Sequence, residues 1–303
     1  MKNWLILLIG FLIVIVGTNK VFAASSITNG ITVSPAIQQI ALSKNQTTAN
    51  FKVEVINNTT NQQFITASTQ DFTYLNQNGA VSFFTGTTNI NDTHGLVNFI
   101  SIGLPEVALA PHQSKVIPIS IANANKLSDG GHYVAIVFKA YPQNIKKANF
   151  AIVQAVSSLV FLSTYGGGTQ NLSLDTEIIS SIDLNLPRQI VTVMGNSGNT
   201  QTTPRGYIQI LNPEGNLISQ TQINVFSSLI LPQSKRLLTD SLNPARRFLW
   251  PGFYTIKIFY NHDGQTNFSV YQKKIFVITE PFLIFIIVII VVLIGWFIRR
   301  KKK

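Results

Sequence analysis

The run from Phe282 to Ile298, FLIFIIVIIVVLIGWFI, holds no charged residue and leads at once into Arg299, Arg300, Lys301, Lys302 and Lys303. At 1.5 Å of rise per helical residue it spans about 25 Å, the short end of what crosses a bilayer. A buried core helix is the alternative, but such helices rarely run straight into a bare basic cluster. Five cations resist translocation and act as a stop-transfer signal, so a single span at 280–298 is expected. The 299–303 tail would then be cytoplasmic and everything before the span extracellular.

The other end of the chain supports the same orientation. Lys2 precedes an apolar stretch from Trp4 to Val16, followed by polar Thr18, Asn19 and Lys20 and then by Val21-Phe22-Ala23-Ala24. A basic start, a short apolar middle and small residues before the cut describe a secretory signal peptide, with cleavage expected between Ala23 and Ala24. Uncleaved, residues 1–23 would be a second anchor.

Setting these ends aside changes the meaning of the charge. Without Lys2, Lys20 and the five tail cations, 23 Lys and Arg become 16 against 12 Asp and Glu, so the exported region is only about +4. A nucleic-acid partner, which needs clustered basic residues on a folded face, is not expected. The chain has no cysteine. That excludes a disulfide framework, thiolate metal sites and cysteine nucleophiles, and leaves stability to apolar burial.

Period-two alternation fills the exported region. Phe51, Val53 and Val55 alternate with Lys52 and Glu54 and stop at Asn57-Asn58-Thr59-Thr60-Asn61, which is turn chemistry. Similar runs follow at Phe64–Phe72, Val81–Phe84, Val97–Ile102, Val116–Ala122, Tyr133–Tyr141 and Ala151–Ser163. After Gly166-Gly167-Gly168 a second set covers Leu172–Ile182, Gln189–Met194, Gly206–Leu211, Leu217–Val225, Leu229–Leu231, Phe253–Tyr260 and Phe268–Ile278, with a strong turn at Asn212-Pro213-Glu214-Gly215. The two sets echo each other. Pro111-His112-Gln113-Ser114-Lys115 matches Leu231-Pro232-Gln233-Ser234-Lys235, and Gly131-His132-Tyr133 matches Gly252-Phe253-Tyr254, with Tyr133 and Tyr254 each expected to begin an inward-facing series. The pattern predicts an all-β fold, two tandem immunoglobulin-like β-sandwich domains at 24–167 and 168–279 plus one C-terminal transmembrane helix.

Val33-Ser34-Pro35, Val53-Glu54-Val55-Ile56-Asn57-Asn58, Leu109-Ala110-Pro111-His112-Gln113-Ser114-Lys115 and Gly130-Gly131-His132-Tyr133-Val134-Ala135 resemble the first domain of the WxL-interacting cell-surface proteins of monoderm bacteria. That family has the same plan of signal peptide, two immunoglobulin-like domains, one C-terminal span and a basic tail. The resemblance implies peptidoglycan binding by the first domain and partner or host contact by the second.

Residues that carry chemistry are sparse. His94, His112, His132 and His262 stand singly, without metal-ligand spacing, and the segment holding Asp71 and Asp92 lacks the dense acidic loop of a calcium site. There is no Gly-x-Ser-x-Gly elbow, the glycine run lacks the Lys-Ser/Thr of a phosphate loop, and the acids are scattered. No catalytic residue, metal or cofactor is therefore expected. Two stretches are candidate contact surfaces. The polar loop from Asn76 to His94 is aromatic-tipped by Phe83 and Phe84, and Arg246, Arg247 and Trp250 mix cations with an indole. The expectation is a non-catalytic, single-pass cell-membrane protein whose domains bind cell-wall polymer (peptidoglycan), a surface partner protein, or both. The alternative is a chaperone-like envelope-assembly protein that pairs with client strands through an exposed sheet edge of the first domain. Nothing in the residues sets an oligomeric state.

Overall fold

A computed structural model describes residues 30–84, 94–142, 153–166, 168–243 and 250–301. Ala23, Ala24, Arg246, Arg247, Lys302 and Lys303 lie outside the described residues.

The strands of the first half are β1 (Ile31–Ser34), β2 (Ile37–Ala41), β3 (Ala49–Asn57), β4 (Gln63–Gln70), β5 (Phe72–Tyr74), β6 (Val81–Phe83), β7 (Ile100–Ile102), β8 (Glu106–Leu109), β9 (Ser114–Ile121), β10 (Gly131–Pro142) and β11 (Gln154–Ser163). The second half has β12 (Leu172–Ile178), β13 (Ile182–Asp183), β14 (Gln189–Asn196), β15 (Pro204–Leu211), β16 (Leu217–Gln222), β17 (Ser234–Ser241), β18 (Gly252–His262) and β19 (Ser269–Val277), and helix α1 (Glu280–Lys301) follows. They build two immunoglobulin-like β-sandwiches. In the first, a β1-β3-β9-β7 sheet faces a β2-β11-β10-β4-β8 sheet, and β5 and β6 form a separate hairpin. In the second, β12-β14-β17 faces β13-β19-β18-β15-β16.

Alternation explains the cores. Phe51, Val53 and Val55 of β3 meet Ile117, Ile119 and Ile121 of β9 and Val134, Ile136 and Phe138 of β10 in one buried cluster. Ile190 and Met194 of β14 meet Ile208, Ile210, Tyr254, Ile256 and Ile258 in the other. The expected turn at Asn212 to Gly215 joins β15 to β16, with Gly215 at φ +87.

The internal echo is structural as well. His112 and Gln233 both take left-handed backbone, at φ 59 and 53; Ser114, two residues after the first, opens β9, and Ser234, directly after the second, opens β17. Those strands flank β3 and β14, whose last residues are buried asparagines. Asn57 Nδ2 donates to the carbonyls of Asn61, Leu109 and Ala110, and Asn196 Nδ2 donates to those of Thr200 and Ile230. Each side chain thereby pins a loop that leaves its own sheet.

Several expectations need correction. The Phe64–Phe72 run is broken at Asp71, whose carboxylate accepts the Leu96 and Val97 amides at 2.9 and 3.1 Å. Val97–Phe99 is a 3-10 turn, so only Ile100–Ile102 of that run is strand. Leu229–Leu231 is a loop joined to Thr202 by an isolated bridge at Ile230. Tyr254 does face its sandwich core, but Tyr133 does not. Val134, Ile136 and Phe138 fill the first core, so the period of two turns Tyr133, Ala135 and Val137 outward into a separate cluster. The helix continues past the apolar run through Arg299 and Arg300 to Lys301, with Arg300 lying 5.1 Å from the Trp296 ring centre.

Asn57→Ala strands three carbonyls, those of Asn61, of Leu109 at the end of β8 and of Ala110 just after it. Unfolding of the 24–279 fragment in urea is expected to show a loss of about 2 kcal/mol, since a buried carbonyl left without a donor costs about 1–3 kcal/mol and water can reach some of these. An unchanged midpoint would show that the loop is held by its other contacts.

Candidate functional site

The outward face of β10 and β11 is not solvent-exposed. Tyr133, Ala135, Val137 and Phe161 are covered by Phe72 of the β5–β6 hairpin and by Leu229 and Leu231 of the second sandwich. The rings of Phe72, Tyr133 and Phe161 pack edge-on or tilted with centroids 5.5–6.0 Å apart. A polar seam borders them. Tyr133 Oη donates to Gln201 Oε1 at 3.0 Å, Gln201 Nε2 donates to Ser163 Oγ at 2.9 Å, and the Gly131 amide donates to the Asn199 carbonyl at 2.9 Å. Burial pushes the Tyr133 phenol pKa up.

Beside this seam lies a cleft of about 270 Å³ between the sandwiches, lined by Asp71, Phe84, His94, Tyr133, Leu231 and Gln233. His94 donates from Nδ1 to the Gly131 carbonyl at 2.7 Å, and its ring lies 6.3 Å from that of His132. The two histidines are far apart in sequence and were expected to stand alone. The loop before β7 and the first turn of β10 bring them together. Among the described residues no group of three metal-ligating side chains forms.

A different feature lies farther along β11. β2 pairs with β11 in parallel from Leu159 to Ser163 only, and β10 covers the other side from Gln154 to Ser163. Among the described residues no strand pairs with Gln154–Ser158 on the β2 side, although β1, paired to β3 in the other sheet, lies alongside it within side-chain reach. The Leu159 amide donates to Ala36 and the Ser163 carbonyl accepts from Leu42, each at 2.9 Å, so odd-numbered residues aim their backbone groups toward that side. Period two then aims the N–H and C=O of Ala155 and Ser157 past the end of β2. The even-numbered side chains face inward. Gln154 Oε1 accepts the Ile31 amide at 2.8 Å, Val156 packs on the core, and Ser158 Oγ donates to the Pro35 carbonyl at 2.7 Å. Val153, just before the strand, is exposed.

The corresponding strand of the second sandwich treats its edge differently. β13 covers only Phe276 and Val277 of β19. The uncovered part carries Lys273 and Lys274, and Lys273 Nζ reaches Glu177 Oε1 at 3.2 Å and the Ile179 carbonyl at 2.9 Å. Lysines on an edge discourage strand addition. The open part of β11, Gln-Ala-Val-Ser-Ser, has no charge.

The candidate contact residues are not gathered at this edge. Phe83, on β6, is exposed and meets Phe72 edge-on at 6.4 Å, while Phe84 is half-buried in the cleft wall. Trp250 is exposed, and its carbonyl accepts the Tyr254 hydroxyl at 2.7 Å. Arg299 and Arg300 lie on the last turns of α1. Lys235, part of the repeated turn, pairs with Asp175 at 2.6 Å and holds that carboxyl below its usual range.

No family model matches this chain, and no curated protein sequence does. Solved structures with a similar fold include the class 5 fimbriae chaperone CfaA, at 14% identity and TM-score 0.41, covering 81% of this chain and 99% of that one. The SafB chaperone in complex with SafA pilin from Salmonella enterica matches at 9% identity and TM-score 0.40, covering 80% and 95%. The E. coli chaperone DraB matches at 10% identity and TM-score 0.37, covering 81% and 96%. Likeness at this level carries no functional inference.

The buried His132, whose ring packs near that of His94, makes the stability of the fold pH-dependent. Its pKa is lowered, first by burial and also by His94, against the opposing pull of the Ser128 carbonyl and Asp71. The unfolded chain therefore binds a proton at higher pH than the folded one. Stability is fully present above about pH 6.5 and falls as pH drops below it, by up to about 1.4 kcal/mol per pH unit until the folded-state value is reached. Urea titrations between pH 8 and 5 check this, and His132→Gln is expected to flatten the slope.

Proposed function

We propose that the chain is a non-catalytic, membrane-anchored module that takes up an extended segment of an exported partner protein along the open part of β11. The carrying observation is the uncharged edge at Gln154–Ser158 that no strand pairs with among the described residues, in contrast to the β19 edge that lysines defend. An incoming strand would exchange backbone hydrogen bonds with Ala155 and Ser157 and lay alternate side chains beside Val156. Uncharged segments of alternating apolar and polar residues fit this surface best. α1 is long and apolar enough to cross a membrane. The basic residues that follow its apolar run support a cytoplasmic C-terminus and an outward-facing pair of sandwiches. Strand capture stands ahead of binding to wall polymer because it has a located surface.

Peptides selected for binding to the 24–279 fragment test the reading. Those that bind are expected to alternate in polarity and to protect the Ala155 and Ser157 amides from hydrogen exchange. Ser157→Pro deletes an outward-facing N–H, leaves the β10 ladder in place, and should weaken binding at least tenfold, about 1.4 kcal/mol. Binders without alternation, or affinity untouched by Ser157→Pro, would sink strand capture. Saturable co-sedimentation of both forms with bare peptidoglycan sacculi would put polymer binding in its place.

A further inference from the structure

The second sandwich ends in an exposed apolar row where the chain enters α1. Phe253 of β18, Phe276 of β19 and Ile182 of β13 lie side by side in register, one residue before the pairing that reaches Val277. Phe253 and Ile182 are 62% and 66% exposed, and the Phe253 and Phe276 rings are 4.9 Å apart. Leu184, also exposed, continues the patch on the loop after β13. That loop is tied to the helix, since Asn185 Nδ2 donates to Glu280 Oε1 at 2.9 Å. Two residues along β19 on the same face, Lys274 is exposed.

Water-facing rows of this kind are costly for a soluble domain unless something covers them. The position of this one decides what does. Only Ile278 and Thr279 separate β19 from α1, so whatever solvates the helix must come within a few ångströms of the row. We propose that the membrane-facing end of the second sandwich is seated in the lipid interface, with Phe253, Phe276, Ile182 and Leu184 among the upper acyl carbons. Lys274 then lies at the level of the phosphates. The seat turns a single helix into a two-part anchor and fixes the tilt of the ectodomain. This rests on the reading of α1 as a membrane span.

Because the chain lacks cysteine, single cysteines report position cleanly. The full chain would be reconstituted into phosphatidylcholine vesicles with a minor fraction of phosphatidylglycerol, carrying a polarity-sensitive fluorophore at Ile182→Cys, Phe253→Cys, Gln265→Cys or Gly295→Cys. Quenching by nitroxides on the headgroup or deep in the acyl chain would be compared. Gln265 lies beyond the far end of β18, about 30 Å from Phe253. A Cβ at Gly295 meets nothing within 4 Å. Acyl-chain quenching at 295, with headgroup quenching at 182 and 253 several times that at 265, is the expected result. Quenching at 182 and 253 no stronger than at 265, with 295 still deep, overturns the seat and leaves the anchor intact. Protection of 182 and 253 from an aqueous quencher without lipid quenching also overturns it, and points to a second copy on the patch. Absence of acyl-chain quenching at 295 removes the anchor reading and the seat together.

Discussion

Burial of β10 on both faces is the constraint on which the arrangement of the two sandwiches depends. One face, with Val134, Ile136 and Phe138, closes the first core, and the other, with Tyr133, Ala135 and Val137, closes the interface with the second sandwich. A large apolar side chain taken fully out of water contributes about 1.5–3 kcal/mol, against about 1 kcal/mol net for an ordinary hydrogen bond. The cluster of Phe72, Tyr133, Phe161, Leu229 and Leu231 therefore dominates the attraction between the sandwiches. The seam at Gly131, Asn199, Gln201 and Ser163 adds less energy. It fixes register, because a slip would leave buried donors and acceptors without partners.

Much of the fold was legible because strands half in water announce themselves by alternation, as β3 does. The misses have two causes. β10 is buried almost along its length, so its sequence Tyr-Val-Ala-Ile-Val-Phe reads as a continuous apolar run whose two faces cannot be told apart. The run therefore does not reveal that Tyr133 belongs to the outward face. β17 is hidden in the sequence for the opposite reason. It places Ser234, Leu238 and Asp240 inside and carries Lys235 and Arg236, so its pattern is polar although its ladder with β14 is complete. The repeated Pro-His-Gln-Ser-Lys and Pro-Gln-Ser-Lys turns, by contrast, were informative, because a residue forced to positive φ before a new strand leaves a local signature.

The candidate site was less legible. Chemistry-bearing residues and aromatic loops are what a sequence displays, and they pointed to Phe83, Phe84, Arg246, Arg247 and Trp250. An open edge has no such mark. Whether Ala155 and Ser157 have partners depends on β2 stopping at Ala41, which pairs with Ser163, and starting at Ile37, which pairs with Leu159. Strand length and offset decide this, and single side chains do not. The meeting of His94 with His132 is equally tertiary. The one usable signal was the absence of charge in Gln154–Ser158, which takes on meaning only once the segment is known to be an edge.

The two sandwiches have the same plan, and their differences are informative because of it. β11 and β19 occupy equivalent places, each flanked by a short parallel strand that covers only its last residues. An uncovered strand invites pairing with other chains, and lysine is a common protection. β19 has that protection, with Lys273 anchored across the edge by Glu177 and Ile179. If solubility alone shaped both edges, β11 would need the same defence, since its open half is of comparable kind and carries an exposed Val153 at its entrance. It has none, while its inward side chains are held by Ile31, Pro35 and the core. An edge left undefended on a well-ordered strand, in a chain that defends its twin, is what capture of another strand requires.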